Sequence, residues 1–231
     1  MKKTRNHLQT APSQTLLVES IISEKSNDTQ SLPDNRRFKF AVNPTGRNKD
    51  WDFKKLAKNF RDQEGTIYNV IDHVKQGHAL CAGLLGGEWR AKSNVIGSQW
   101  ILLDIDNSSK DENGEKCYQH QLTLEEAQEH PFIQQYCSLI YTTASHKDDW
   151  HKFRLVFLLP EFVPGYEAVE VLTRTIMKHL PHDPACKDAS RVFYGSTEAA
   201  FPLVQPNVTL PTEWISEARA TAAKEKIEYV Y

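Results

Sequence analysis

Apolar positions recur along the chain with two different periods, and each change of period marks a predicted element. Alternation, or a short continuous apolar run, predicts β-strands over residues 38–42, 78–85, 99–106, 138–143 and 153–159. Repeats at three and four residues predict helices over residues 50–63, 66–77, 123–130, 166–180 and 212–227. A Gly86-Gly87 turn is expected to join the strand over 78–85 to another over 88–92. This order predicts an α+β fold with a mostly antiparallel central sheet.

Composition limits the class of protein and its compartment. Residues 1–35 are polar apart from an apolar patch at 16–22, which predicts a mobile N-terminal arm before a single domain over 36–231. The 231 residues are 39% hydrophobic and 25% charged, as in an ordinary globular protein. No apolar run reaches the length of a membrane span, so we expect a cytoplasmic protein without a membrane partner. The four cysteines are scattered, which argues against a zinc ribbon or a disulfide framework.

Charge is distributed unevenly between the two halves of the chain. Residues 1–100 carry 16 Lys and Arg against 10 Asp and Glu, whereas residues 101–231 carry 12 against 20. The net charge is only −2 at pH 7. A basic half beside an acidic half is compatible with a phosphate-binding track next to a metal site, and equally with ordinary surface variation.

The most informative stretch is the apolar run that leads into Asp104 and Asp106. Side chains on a strand alternate between its faces, so these two carboxylates are predicted to point the same way. Carboxylate oxygens are the ligands that Mg²⁺ and Mn²⁺ prefer, and two of them on a rigid strand form half of a divalent-metal site. A strand that simply ends in an Asp-rich turn is the alternative interpretation of this segment alone.

Two cationic clusters flank this pair in the sequence. Arg90 and Lys92 alternate on the predicted strand 88–92 and would lie beside the carboxylates if that strand pairs antiparallel with the next. Ser145 and His146 lie in a polar loop, and Lys152 and Arg154 are two cations on one face of the apolar strand that follows. Hydroxyl, imidazole and guanidinium groups suit the oxygens of a triphosphate. An exposed charged edge and an uninvolved loop histidine are the plainer alternatives.

A further cluster follows the helix predicted to end near residue 180. Asp183 is available as a third carboxylate, and Arg191 follows it before an apolar segment. Asp188 is the alternate metal ligand, because it also precedes Arg191. The alternative interpretation is an Asp-Pro turn followed by a short helix that Asp188 caps.

Taken together, these motifs resemble the archaeo-eukaryotic primase (AEP) superfamily, and most closely the primase-polymerases (PrimPols) of plasmids, phages and CRISPR loci. The resemblance covers residues 75–196 and is carried by Gly77-His78-Ala79, Arg90, Asn94-Val95 and Leu103-Asp104-Ile105-Asp106. The family's Asp-x-Asp strand matches at Asp104 and Asp106, and its hydrophobic-Asp element matches at Asp183 with Arg191 trailing. Its Ser-x-His strand does not match, because Ser145-His146 lacks the intervening residue and residues 152–154 read Lys-Phe-Arg.

This resemblance implies a catalytic core in which an α/β unit packs on an RNA-recognition-like sheet that bears the carboxylates. It implies a template-dependent nucleotidyltransferase, a DNA primase or DNA polymerase, in which Asp104, Asp106 and Asp183 hold two Mg²⁺ or Mn²⁺ ions. The implied nucleotide-binding residues are Arg90, Lys92, Ser145, His146, Arg154 and Arg191. The implied partners are a single-stranded DNA template and primer, nucleoside triphosphates, and a helicase or other replication or CRISPR proteins.

Two other functions remain open from the residues. The mismatch at the Ser-x-His motif is compatible with a non-catalytic, nucleic-acid-binding replication-initiator module that has kept the fold. Paired carboxylates also serve a metal-dependent nuclease, which needs no triphosphate clamp. Nucleotide binding and incorporation therefore separate the three functions.

Overall fold

A computed structural model describes residues 35–47 and 56–228, all within the compact unit Asn35–Tyr231. Apart from Asn35, the predicted N-terminal arm lies outside the described residues. The strands are β1 Phe38–Arg47, β2 Arg61–Gly65, β3 His78–Cys81, β4 Gly97–Ile105, β5 Ser108–Lys110, β6 Lys116–Tyr118, β7 Leu139–Thr142, β8 Phe153–Pro164, β9 Val192–Tyr194 and β10 Leu203–Val204. The helices are α1 Ile67–Lys75, α2 Leu124–Glu129, α3 Pro131–Tyr136, α4 Tyr166–Met177 and α5 Thr212–Glu228, with 3-10 turns at Lys92–Asn94 and Pro184–Lys187.

The strands form two antiparallel four-stranded sheets and a separate two-stranded ribbon. The first sheet has the order β2-β1-β3-β9, the second has the order β10-β7-β8-β4, and β5 pairs with β6 in the ribbon. Fully buried aromatic rings join the two sheets: Trp100 of β4 lies 5.8 Å from the rings of Phe38 and Phe40 on β1. The predicted α+β class with antiparallel sheets is confirmed. No helix among the described residues is long and apolar enough to cross a bilayer.

Local signals placed several elements correctly. The apolar residues of α1 recur with helical spacing and are buried, and Gly77 ends the helix with φ of 74°, a left-handed conformation that glycine adopts at little cost. The Oγ1 atom of Thr123 accepts a hydrogen bond from the backbone amide of Glu126, and the carboxylate of Glu126 accepts one from the backbone amide of Thr123. This reciprocal capping is the reason that α2 begins where the sequence predicts.

Three predictions of secondary structure were wrong. Residues 61–63 are not the end of a helix, because Arg61–Gly65 forms an edge strand whose backbone pairs with β1; the first part of that predicted helix lies outside the described residues. Residues 88–92 do not form a hairpin strand, since β4 pairs along its length with β8 and the preceding loop reaches β4 through a backbone bridge between Leu84 and Gly97. The Asn, Ser, Asp and Gly residues of segment 107–116 predict a polar turn, but this segment forms β5 and leads into β6, which pairs with it.

Gly195 allows the chain after β9 to pass close to α1. A Cβ atom at this position would lie 2.7 Å from the carbonyl oxygens of His78 and Val74. Such overpacking costs about 1–3 kcal/mol, so we expect Gly195→Ala to lower the melting temperature by roughly 2–12 °C. Gly87→Ala is the matched control, because no atom lies within 4 Å of its added Cβ. Thermal unfolding followed by circular dichroism measures both, and equal melting temperatures would contradict the packing argument.

Candidate active site

Three carboxylates line one cavity of roughly 250 Å³ at the end of β4. Asp104 is the cross-strand neighbour of Arg154, and Asp106 follows one residue beyond the end of β4. Asp183 reaches the same cavity because its backbone amide donates to the carbonyl oxygen of Asp104 at 3.0 Å. The alternation of β4 and this backbone contact therefore bring all three carboxylates together.

Arg154 is the most buried cation of the cavity. Its Nε atom donates to Oδ1 of Asp104 at 3.2 Å, and its Nη1 atom donates to the carbonyl oxygen of Tyr194. Burial alone would lower the pKa of the guanidinium, but the neighbouring Tyr141 and Asp104 outweigh it and raise the pKa. Arg154 therefore remains charged, and it holds Asp104 against the strand.

Arg191 joins Asp104 to the third carboxylate. Its Nη2 atom lies 2.7 Å from Oδ2 of Asp183 and 3.4 Å from Oδ2 of Asp104. The Oδ1 atom of Asp183 accepts from the amide of Ala185 at 2.9 Å and so caps the 3-10 turn. The Asp183 carboxylate thus has one oxygen for the backbone and one facing Arg191 and the cavity.

Asp106 is held by two lysines. Lys116 of the ribbon contacts its Oδ2 atom, and Lys152, just before β8, lies 3.1 Å from its Oδ1 atom. Burial would raise the pKa of Asp106, but the hydrogen bonds and charges of the two lysines outweigh it and lower the pKa. The carboxyl group is therefore ionised at neutral pH. The indole of Trp150 also donates to the backbone carbonyl of Asp106 at 2.9 Å.

The cavity has the oxygen donors that Mg²⁺ or Mn²⁺ prefers, but they are not arranged around an ion. Among the described residues, no three His, Cys, Asp or Glu side chains are grouped so that they could hold a metal ion. The physical reason is visible in the contacts above, since each carboxylate already faces Arg or Lys. A divalent ion would fit the chemistry of Asp104, Asp106 and Asp183 only if it replaced some of these cations.

The structure separates the remaining predicted residues into two groups. Ser145 lines the cavity with Thr143. His146 does not line it, because its Nδ1 atom accepts from the amide of Lys152 at 3.1 Å, and burial lowers the pKa of its ring. The neutral imidazole of His146 therefore stabilises the loop between β7 and β8 by accepting the hydrogen bond from the amide of Lys152.

Arg90, Lys92 and Asp188 do not line the carboxylate cavity. Arg90 donates to the carbonyl oxygen of Ser190 at 2.8 Å and lines a neighbouring cavity of roughly 310 Å³ together with Asp188. Lys92 lies 4.2 Å from the ring of Tyr166. The Oδ1 atom of Asp188 accepts from the amide and hydroxyl of Ser190, both at 2.8 Å. Asp188 thus stabilises the backbone outside the carboxylate cavity.

Sequence reasoning missed one cation that shapes this site. The sequence places Lys152 on the same face as Arg154, but it gives no reason to pair Lys152 with Asp106. The sequence around Lys116 gives no sign of its role, because the position of Lys116 beside Asp106 depends on a ribbon that the sequence did not predict.

The thiol of Cys186 also lies at this site, where its sulfur accepts a hydrogen bond from the backbone amide of Asp104 at 3.2 Å. Burial raises the pKa of this thiol to about 12, which argues against a nucleophilic role.

Comparisons with known proteins give no match in sequence and several similar solved structures. A scan against protein-family models finds no match, and a search of curated proteins finds none. The chain is similar to the AEP domain of the cyanophage S-2L primase-polymerase, with 11% identity over 79% of this chain and 88% of that domain, at a TM-score of 0.43.

It is also similar to the catalytic domain of primase RepB′ in complex with initiator DNA, with 12% identity over 82% of this chain and 89% of that chain, at a TM-score of 0.44. A second RepB′ structure is 12% identical over 84% of this chain and 62% of its own length, at a TM-score of 0.40.

Proposed function

We propose that this chain is a template-dependent nucleotidyltransferase, a DNA primase or DNA polymerase that joins nucleoside triphosphates to a 3′-hydroxyl. The observation that carries the proposal is the convergence of Asp104, Asp106 and Asp183 in one cavity with four Lys and Arg side chains. Phosphoryl transfer requires mainly positioning and electrostatic stabilisation, and it needs no nucleophilic side chain.

Each side chain has a distinct part in this proposal. Asp104, Asp106 and Asp183 would hold two Mg²⁺ or Mn²⁺ ions, whose chemistry is to activate the 3′-hydroxyl and stabilise the leaving pyrophosphate. Arg191 and Lys152 line the cavity and supply positive charge for the triphosphate oxygens. The hydroxyl of Ser145 offers a further donor at the same cavity. Arg154 acts through Asp104, which it positions.

The test is an incorporation assay with a labelled primer on a single-stranded DNA template, and a parallel assay without primer. Each is run with ribo- and deoxynucleoside triphosphates in Mg²⁺ or Mn²⁺. We expect extension whose sequence follows the template, and Asp106→Asn serves as the inactive control. Shortening of the labelled strand without triphosphates would indicate a nuclease. Binding of the template without incorporation under any of these conditions would indicate an initiator module.

Arg154→Lys tests the positioning role of the buried guanidinium. Lysine keeps a positive charge near Asp104 but loses the second hydrogen bond, the one that Arg154 donates to the carbonyl of Tyr194. We expect kcat/KM for the nucleotide to fall by at least about tenfold, because the metal-binding carboxylate is no longer held in place. Affinity for the template, measured by fluorescence anisotropy, should be unchanged. A loss confined to template affinity would instead place Arg154 on nucleic acid.

A further inference from the structure

The cavity around Asp104, Asp106 and Asp183 is already neutralised by the protein itself. Its three carboxylates face four cations, namely Lys116, Lys152, Arg154 and Arg191. A cavity with this balance has no excess of negative charge to attract divalent cations. Cations must therefore leave the carboxylates, or negative charge must arrive, before metal ions bind well.

Lys116 differs from the other three cations in its exposure. The side chains of Arg154, Lys152 and Arg191 are 8, 13 and 22% exposed, whereas that of Lys116 is 53% exposed. Arg154 is also bonded to Tyr194, and Lys152 lies 4.2 Å from the ring of Trp150. Displacing the half-exposed Lys116 consequently costs the least, because water already screens its attraction to Asp106 and its side chain has little packing to lose.

The ribbon that carries Lys116 is not part of either four-stranded sheet. Its strands β5 and β6 pair only with each other among the described strands. Its base is fixed by Asn107, whose side-chain amide donates to the carbonyl oxygens of Leu122 at 2.8 Å and His151 at 2.7 Å. The lysine thus lies on a two-stranded arm with an anchored base.

We propose that Lys116 is a displaceable internal counter-ion, which occupies Asp106 until divalent cations and a nucleoside triphosphate bind together. Two divalent cations alone would leave the cavity strongly positive, whereas the triphosphate that accompanies them nearly cancels their charge. Metal and nucleotide binding are therefore coupled, and Lys116 sets the strength of that coupling. The identity of the anionic ligand rests on the proposed function, but competition between Lys116 and a metal ion at Asp106 does not.

The experiment measures Mn²⁺ binding by electron paramagnetic resonance of the unbound ion, with and without a non-hydrolysable nucleoside triphosphate. In the wild type we expect weak binding of Mn²⁺ alone, and at least tenfold tighter binding with the nucleotide analogue. Lys116→Ala should bind Mn²⁺ alone about tenfold more tightly, a change of about 1.4 kcal/mol, and should show weaker coupling to the nucleotide.

Lys110→Ala is the matched control. Lys110 is exposed, and it is the cross-strand neighbour of Lys116 on the same ribbon, so its removal changes the ribbon's charge equally. We expect its Mn²⁺ affinity to equal that of the wild type. Equal tightening in both variants would overturn the proposal in favour of a general charge effect. Unchanged or weaker Mn²⁺ binding in Lys116→Ala would also overturn it.

The outcome is separable from that of the proposed function. Tighter Mn²⁺ binding in Lys116→Ala by a chain that incorporates no nucleotide would support the counter-ion and reject the polymerase. Template-directed incorporation without any effect of Lys116 on Mn²⁺ affinity would do the reverse. Melting curves of both lysine variants in the absence of metal verify that the ribbon substitutions leave the fold intact.

Discussion

Asp104→Asn and Asp106→Asn are each expected to lower nucleotide incorporation by about a thousandfold or more. Both substitutions remove an anionic ligand that the proposed mechanism needs, and a bound metal supplies several kcal/mol of transition-state stabilisation. Single-turnover primer extension in Mg²⁺ and in Mn²⁺ measures the loss. Asp149→Asn, which removes a carboxylate from an exposed position outside the cavity, is the matched control and should keep wild-type activity.

The same two variants should differ in stability when no metal is present. Asp104 pairs with the buried Arg154, and breaking a buried ion pair costs about 3–5 kcal/mol, so Asp104→Asn should lower the melting temperature by roughly 6–20 °C. Asp106 pairs with the half-exposed Lys116 and with Lys152, which keeps its contact with the ring of Trp150, so the loss of Asp106 should cost less, about 1–2 kcal/mol. Calorimetry in a chelator measures both. Wild-type incorporation by either variant would reject its role as a metal ligand, and equal melting temperatures would reject the burial argument.

The fold could be predicted where a local pattern and the tertiary environment agree. In α1, helical spacing, a polar residue at the start and Gly77 at the end all favour a helix. In β4, the apolar run predicts a buried strand, and the core covers it. The pattern failed for β2, whose sequence Arg-Asp-Gln-Glu-Gly has no strand signature. This strand exists because β1 offers it backbone hydrogen bonds at the edge of a sheet. Such partners are invisible in a single sequence.

The candidate site could be predicted in part for the same reason. Asp104 and Asp106 follow from strand alternation alone. The pairing of Arg154 with Asp104 follows once β8 is known to be the neighbour of β4. The sequence wrongly predicted residues 88–92 as that neighbouring strand. Lys116 could not be found, because a three-residue strand in a polar segment brings it to Asp106. From the sequence, Asp104 and Asp106 are a pair of neighbouring carboxylates. In the structure, Asp104 pairs with Arg154 and Arg191, and Asp106 pairs with Lys116 and Lys152.

Asp183 and Asp188 are expected to separate cleanly into a site residue and a structural residue. Asp183 lines the carboxylate cavity, whereas Asp188 lines the neighbouring one and binds Ser190. Asn at position 183 can still cap the 3-10 turn through its side-chain oxygen, but it loses the charge. We therefore expect Asp183→Asn to lower incorporation at least a hundredfold and to remove the thermal stabilisation given by Mn²⁺ plus nucleotide. Its melting temperature without metal should stay within about 4 °C of the wild type.

Asp188→Asn is the matched control for activity and should retain most incorporation. Asp188→Ala tests the structural role, because it removes the acceptor for the amide and hydroxyl of Ser190, a residue that is only 5% exposed. Leaving a buried donor without a partner costs about 1–3 kcal/mol, so the melting temperature should fall by roughly 2–12 °C. Paired melting curves and incorporation assays decide between the two residues. If Asp188→Asn is inactive and Asp183→Asn is active, Asp188 is the third metal ligand, and the carboxylate cavity described above is not the catalytic centre.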